Sequence, residues 1–163
     1  MKIAVISDIH DNIWQLAKVL ESIHARKPDV ILCCGDLCSP FTLKQIADSS
    51  TGPVHLVFGN NDGDKFLLSK VAAKADHVTL HDTFFEAEFD GRRVAMVHFP
   101  ELGRALAASD RYAVVFYGHD HQRAAERVGE TWLVNPGEVM GRFGPSTYAV
   151  YDTATHEAAH FEV

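Results

Sequence analysis

The stretch Asp29-Val30-Ile31-Leu32-Cys33-Cys34-Gly35-Asp36 decides the fold. Its apolar run, Val30 to Cys34, shows no alternation with polar residues, which is the pattern of a strand buried on both faces, and Gly35-Asp36 ends it. Upstream, Lys2 to Ser7 reads as a second β-prone run. Between the two, Ile13, Leu16, Ala17, Leu20 and Ile23 recur at helical spacing, with Asn12 placed to cap the helix. Strand, helix, strand in this order requires parallel pairing through a right-handed crossover. Downstream the alternation continues with a helix over Pro40 to Ala47, a strand over Val54 to Phe58 and a helical segment around Asp64 to Ala75.

The second half changes to hairpins. Thr83 to Phe89 and Arg92 to His98 flank Asp90-Gly91, a two-residue turn whose members both tolerate positive φ. A helix over Glu101 to Ser109 and a strand over Ala113 to Tyr117 follow. Gln122 to Val128 and Thr131 to Val134 then flank Gly129-Glu130, and two last strands run over Thr147 to Asp152 and His156 to Val163. Parallel pairs in the first half and antiparallel pairs in the second predict two mixed sheets packed face to face, with helices outside. No linker-like composition and no internal repeat divides the 163 residues, so one domain over 1–163 is expected.

Composition excludes several classes of function. An apolar fraction of 47% and a charged fraction of 23% suit a soluble globular protein, and no apolar run approaches the length of a bilayer span. The N-terminus has no signal-peptide pattern, so a cytoplasmic location is expected. Net charge is −7 without a lysine or arginine stripe, which disfavours a nucleic-acid groove. The three cysteines, Cys33, Cys34 and Cys38, are odd in number and lack paired metal-ligand spacing. They read as small apolar residues rather than a disulfide or zinc framework.

The chemistry sits in short clusters, almost all at the ends of predicted strands: Asp8 and His10 in SDIH, Asp36 in GDL, Asn60 in GNND, His98 in MVHF, and His119 and His121 in GHDH. Each cluster alone is weak, since Gly-Asp and Asn-Asn-Asp also simply make turns. Together they supply carboxylate, amide and imidazole donors for two adjacent divalent cations, and ligands in parallel sheets gather at the carboxyl ends of strands. Asp8 and His10, two residues apart, would face one side of a regular strand and grip one ion. Asp36 is the candidate bridging carboxylate, one oxygen to each ion, which would hold two cations ~3.5–4 Å apart. The other histidines, His24, His55, His77, His81, His156 and His160, read as ordinary polar residues of the fold.

These motifs in this order resemble the calcineurin-like metallophosphoesterases, in particular the small YfcE-type phosphodiesterases, from Asp8 to Asn135-Pro136-Gly137. The resemblance implies a four-layer α/β/β/α sandwich. It also implies one metal among Asp8, His10, Asp36 and His121 and a second among Asp36, Asn60, His98 and His119. The implied reaction is in-line attack of a metal-bridging hydroxide on a small phosphate ester. Manganese is the favoured metal, with iron, zinc, nickel or cobalt as alternatives for such mixed ligands.

Three positions depart from the family pattern. Asn61 stands where many relatives carry the histidine that protonates the leaving oxygen, and an amide donates a hydrogen bond but supplies no proton. Phe99 and Pro100 follow His98 where HGH is common. Glu138 follows the NPG where serine is frequent, which is expected to affect the rim of the site rather than its centre. Arg123 and Arg142 are candidates to meet a substrate phosphate, with solvated surface roles at least as expected. A phosphomonoesterase and a noncatalytic scaffold like the retromer subunit of this fold are the competing functions.

Overall fold

A computed structural model describes residues 1–163. Strands β1 (Lys2–Ile6), β2 (Val30–Cys33), β3 (Val54–Leu56) and β4 (Val78–Leu80) alternate with helices α1 (Ile13–Ala25), α2 (Pro40–Ser49) and α3 (Lys65–Ala72). Next come β5 (Phe84–Phe89), β6 (Arg92–Val97), α4 (Pro100–Ala107) and β7 (Val114–Phe116). The chain ends with β8 (Ala124–Val128), β9 (Thr131–Asn135), β10 (Thr147–Asp152) and β11 (Glu157–Glu162). The two sheets run β11-β10-β1-β2-β3-β4 and β5-β6-β7-β9-β8. Both are mixed, with parallel pairs β1/β2, β2/β3, β3/β4, β6/β7 and β7/β9, the remaining pairs being antiparallel.

The layers follow from strand alternation. Ala4, Ile6, Ile31, Cys33, Val54 and Leu56 turn toward Leu16, Val19, Leu20 and Ile23 of α1 and Leu43 and Ile46 of α2. Their neighbours Ile3, Val5, Val30, Leu32 and Cys34 turn the other way, onto Val94, Met96, Val114, Phe116 and Val134 of the second sheet. Ala95, Val97, Val115 and Leu133 back onto Ala107 of α4. Three successive apolar interfaces between four layers make an α/β/β/α sandwich. Each fully buried Ile, Leu or Phe contributes about 1.5–3 kcal/mol.

Local chemistry fixes the ends. The Asn12 side chain accepts from Gln15 N at 3.2 Å and caps α1 as its position predicts. Val19 takes the buried place expected for Ala17, and Ile13 is partly exposed. Asp64 caps α3 by accepting from Leu67 N at 3.0 Å, and prolines open α2 and α4, where a missing N–H costs nothing. Asp90 and Gly91 have φ of 49° and 75°, the pair of positive values that a tight hairpin demands. Strand β4 lies outside the elements expected from sequence. It has three residues, too few for a periodicity, and exists because β3 offers it a parallel edge.

No helix is long and apolar enough to cross a membrane. Cys33, Cys34 and Cys38 are free, the first two fully buried in β2 and its extension. Burial pushes the Cys38 thiol up to about 12, so it too is a poor nucleophile.

Candidate metal centre

The carboxyl ends of β1, β2, β3, β6 and β7 meet along one edge of the sandwich, and all seven residues Asp8, His10, Asp36, Asn60, His98, His119 and His121 lie just beyond them. Their exposure is graded. Asp8, Asp36 and His98 form a buried floor at 0%, 1% and 1% exposure. His10 and His121 are half-buried, and Asn60 and His119 are exposed at the mouth.

The backbone is bent hard to do this. Asp8, His10, Asp36, His119 and His121, five of the seven, have φ between 45° and 76°, a region that side-chain-bearing residues seldom occupy. Strain of this kind persists only where the surroundings impose it, and it gathers at functional sites. Asp8 and His10 therefore do not share a strand face, since β1 has ended at Ile6. They lie in a turn held by Asp8 N donating to Gly35 O, and by Ile9 N and His10 N both donating to Asp36 O.

The side chains bring an excess of lone pairs together. His98 Nδ1 lies 2.8 Å from Cys34 O and must carry the proton there, so in the neutral ring His98 Nε2 presents its lone pair. That nitrogen is 3.0 Å from Asn60 Oδ1 and 3.5 Å from Asp36 Oδ2. His119 Nδ1 is 2.9 Å from the same Asn60 oxygen. On the other side, His121 Nε2 is 3.6 Å from Asp8 Oδ1, and His10 Nε2 is 3.6 Å from Asp36 Oδ2. His10 Nε2 is buried and has no hydrogen-bond partner at all. Donor atoms of Asp8, His10 and His121 lie within 4.8 Å of one another, as do those of Asp8, Asp36 and His98. An unpartnered imidazole nitrogen among buried carboxylates fits a divalent cation that supplies the missing positive charge.

Asp36 differs from its expected pose. Asn61 N donates to Oδ1 at 2.8 Å and Asn61 Nδ2 to Oδ2 at 2.7 Å. One oxygen, Oδ2, faces both His10 and His98, rather than one oxygen on each side. Burial alone would raise the Asp36 carboxyl, but the neighbouring His98 side chain and the hydrogen bonds from Asn61 outweigh it and hold the group well below the usual carboxylate range. For Asp8 burial wins and raises the carboxyl, despite the His119 backbone N–H at 3.0 Å. Burial would lower His98, yet Asp36 and the Cys34 carbonyl raise it.

Two glycines make room for the cluster. A Cβ on Gly59 would fall 2.2 Å from Asp36 Oδ1 and 2.7 Å from His98 Cε1, and one on Gly118 would fall 2.0 Å from Ser7 Oγ and 2.8 Å from Asp8 Oδ2. Gly59→Ala must displace Asp36 and His98, and misplacing such groups by about 1 Å costs on the order of 10²-fold in rate. Steady-state kinetics of Gly59→Ala should show that loss with the circular dichroism unchanged.

Two residues matter more than their sequence context indicated. Asp62 is 8% exposed and accepts from Gly59 N at 2.7 Å, Cys38 N at 2.8 Å and Asp36 N at 3.0 Å, so one carboxylate ties together the loops after β2 and β3. Glu138, expected at the rim, is 1% exposed, with Oε2 lying 2.8 Å from His121 Nδ1. Its position after the NPG turn carried no local sign of this, because tertiary contacts steer the turn inward, Asn135 Nδ2 donating to Gly118 O at 3.2 Å and Asp120 Oδ1 at 2.6 Å, and Thr147 Oγ1 to Pro136 O at 2.8 Å.

The two candidate arginines take surface roles. Arg123 pairs with Glu162 and Arg142 lies over the Phe143 ring at 5.2 Å. Arg123 and Phe143 also line a cavity of about 490 Å³ beside His121, together with Asp120, Gln122 and Pro145. Phe99 packs edge-on against both His98 and His119. Of the remaining histidines, His55 and His81 bond each other at 2.9 Å, His77 bonds Ala47 O, His156 bonds Tyr151, and His160 bonds Asn135 O. These are roles inside the fold, as their sequence contexts predict.

Residues 1–156 match the calcineurin-like phosphoesterase superfamily domain. The chain belongs to this superfamily. Among calcineurin-like phosphoesterases it is similar to phosphodiesterase MJ0936 of Methanocaldococcus jannaschii, with 29% identity over 160 residues that cover 96% of each chain. The solved structure of an archaeal phosphodiesterase superposes over the whole of both chains with a TM-score of 0.91 and 28% identity. YfcE, a phosphoesterase from E. coli, shares the fold at a TM-score of 0.71 and 20% identity over both full chains. Vps29 from Entamoeba histolytica shares it at 0.71 and 16%, over 100% of this chain and 99% of its own.

Proposed function

We propose that residues 1–163 act as one phosphodiesterase domain that works with two divalent metal ions, held by Asp8, His10, Asp36 and His121 on one side and Asp36, Asn60, His98 and His119 on the other. The convergence of lone pairs on Asp36 Oδ2 carries this reading, with His10 Nε2 left unpartnered beside it. The mixed imidazole, carboxylate and amide set favours manganese, with iron, zinc, nickel or cobalt as alternatives. Bound there, such ions bring the pKa of coordinated water toward ~7 and neutralise charge on phosphoryl oxygens.

The chain's own residues supply the rest. Hydrogen bonds from Asn61 keep the Asp36 carboxylate in one orientation. His98 spends its Nδ1 on a fixed acceptor, Cys34 O, which leaves Nε2 aimed into the site. Buried Asp8, Asp36 and His98 exclude water from the floor, and the exposed mouth at Asn60 and His119 leaves room for a small phosphate ester. A cytoplasmic, reducing location agrees with three free cysteines.

The diester preference rests on Asn61 and on the phosphodiesterases among the relatives. Without a proton donor at this position, a contribution of about 10²–10⁴-fold is missing for a basic leaving oxygen. Manganese-reconstituted protein should therefore hydrolyse bis-p-nitrophenyl phosphate at least ~10²-fold faster than phosphoserine. Equal rates on the two would favour the monoesterase, and no turnover of either by metal-loaded protein would favour the scaffold.

A further inference from the structure

Glu138 is the only buried acid near the centre that sits outside the proposed ligand set and contacts a proposed ligand side chain. It meets three donors with two oxygens. Oε2 faces His121 Nδ1 at 2.8 Å, and Oε1 accepts from Phe143 N at 2.5 Å and Gly144 N at 2.9 Å. The segment that carries it is clamped under the site, since Val139 N donates to Ser7 O at 3.0 Å and Met140 N to Asp8 O at 3.1 Å. The segment after it runs through Gly141, at φ 64°, to Phe143, whose ring stands edge-on to His121 at 5.3 Å.

We infer that Glu138 is a positioning residue with two linked tasks: it fixes the proton of His121 on Nδ1, so that Nε2 is free for a metal, and it holds the 141–145 loop as the wall of the cavity beside His121. The inference rests on the proposed metal centre. Both tasks follow from donor counting. His121 Nε2 points at Asp8 Oδ1 from 3.6 Å and stacks its ring on His10 at 5.1 Å, so the ring is held in this pose from both sides. An acceptor at Nδ1 then selects the tautomer whose lone pair is on Nε2. The other oxygen satisfies two backbone N–H groups that the loop offers to nothing else among its hydrogen bonds.

A glutamine at this position has the same shape but one acceptor for three donors. Its oxygen serves either His121 or the loop, and its amide N–H then confronts the other. Glu138→Gln therefore separates the two tasks from simple packing. The test is a ¹⁵N spectrum of histidine-labelled, metal-free protein, together with calorimetric titration of Mn²⁺ into wild type and Glu138→Gln. Wild type should carry the His121 proton on Nδ1. The variant should either move it toward Nε2 and bind the weaker Mn²⁺ about 10–100-fold less tightly, or keep it and show displaced Phe143 and Gly144 amide resonances.

A wild-type spectrum with the proton on Nε2 overturns the inference without any variant, so a variant that failed to fold would not shelter it. A variant that matches wild type in tautomer, in loop resonances and in Mn²⁺ affinity overturns it equally. Failure of the metal centre itself looks different: wild type would bind no Mn²⁺, while the tautomer and the loop resonances remained readable.

Discussion

Asp36→Asn should lower kcat/KM toward bis-p-nitrophenyl phosphate by at least ~10³-fold, about 4 kcal/mol of transition-state stabilisation. The residue lies in the floor at 1% exposure, and its Oδ2 faces His10 Nε2 at 3.6 Å and His98 Nε2 at 3.5 Å. Two cations a few ångströms apart repel strongly unless a negative charge lies between them, and an amide has the shape of the carboxylate without that charge. Asn61 can still donate to the remaining oxygen, so the fold is expected to survive. The check is paired: kinetics, and metal content by elemental analysis after dialysis. Activity and metal should fall together. A variant that keeps its metal and its rate would show that Asp36 is an ordinary strand-end turn residue.

Asp62→Ala should be the most destabilising single change near the site, although Asp62 is not among the proposed ligands. Its carboxylate accepts three backbone N–H groups, from Asp36, Cys38 and Gly59, and the first of these is buried. Hydrogen bonds to a charged acceptor are worth ~1.5–3 kcal/mol each, and deleting the acceptor leaves the donors unsatisfied. A loss of about 3–5 kcal/mol is expected, which for a chain of this size lowers Tm on the order of 10 °C. Asp62→Asn, which keeps one acceptor oxygen, should fall between wild type and Asp62→Ala in a thermal melt. Equal melting temperatures for all three would mean that the loops after β2 and β3 are held by something else.

The contrast between Asp36 and Asp62 shows where sequence reading reaches and where it stops. Val30 to Cys34 is apolar throughout because β2 is buried on both faces, and that double burial is visible as an unbroken run. Ligand candidates were legible for a related reason: a run of buried strand residues must end, and Asp36, His98 and His119 stand where β2, β6 and β7 give out. β4 was not legible, since Val78–Leu80 has only one buried residue and borrows its structure from β3. Nor was the left-handed backbone of Asp8 and His10, which depends on the carbonyls of Gly35 and Asp36 reaching across from β2.

Asp62 and Glu138 escaped for a different reason. Local sequence marks an aspartate after GNN or a glutamate after NPG as loop residues, and loops are usually at the surface. What makes these two structural is the identity of their partners, 24 to 26 residues away for Cys38 and Asp36, and 17 away for His121. Arg123 takes the solvated surface role that its sequence context allowed: its guanidinium is paired with exposed Glu162.

The proposed metal centre requires two cations that share one oxygen of Asp36. Anomalous diffraction from crystals of the manganese-loaded protein measures this directly. Two peaks ~3.5–4 Å apart are predicted, flanking Asp36 Oδ2, one within reach of His10 and His121 and the other within reach of Asn60, His98 and His119. No peak at that oxygen, or a single peak that leaves His98 and Asn60 without a metal, would contradict it.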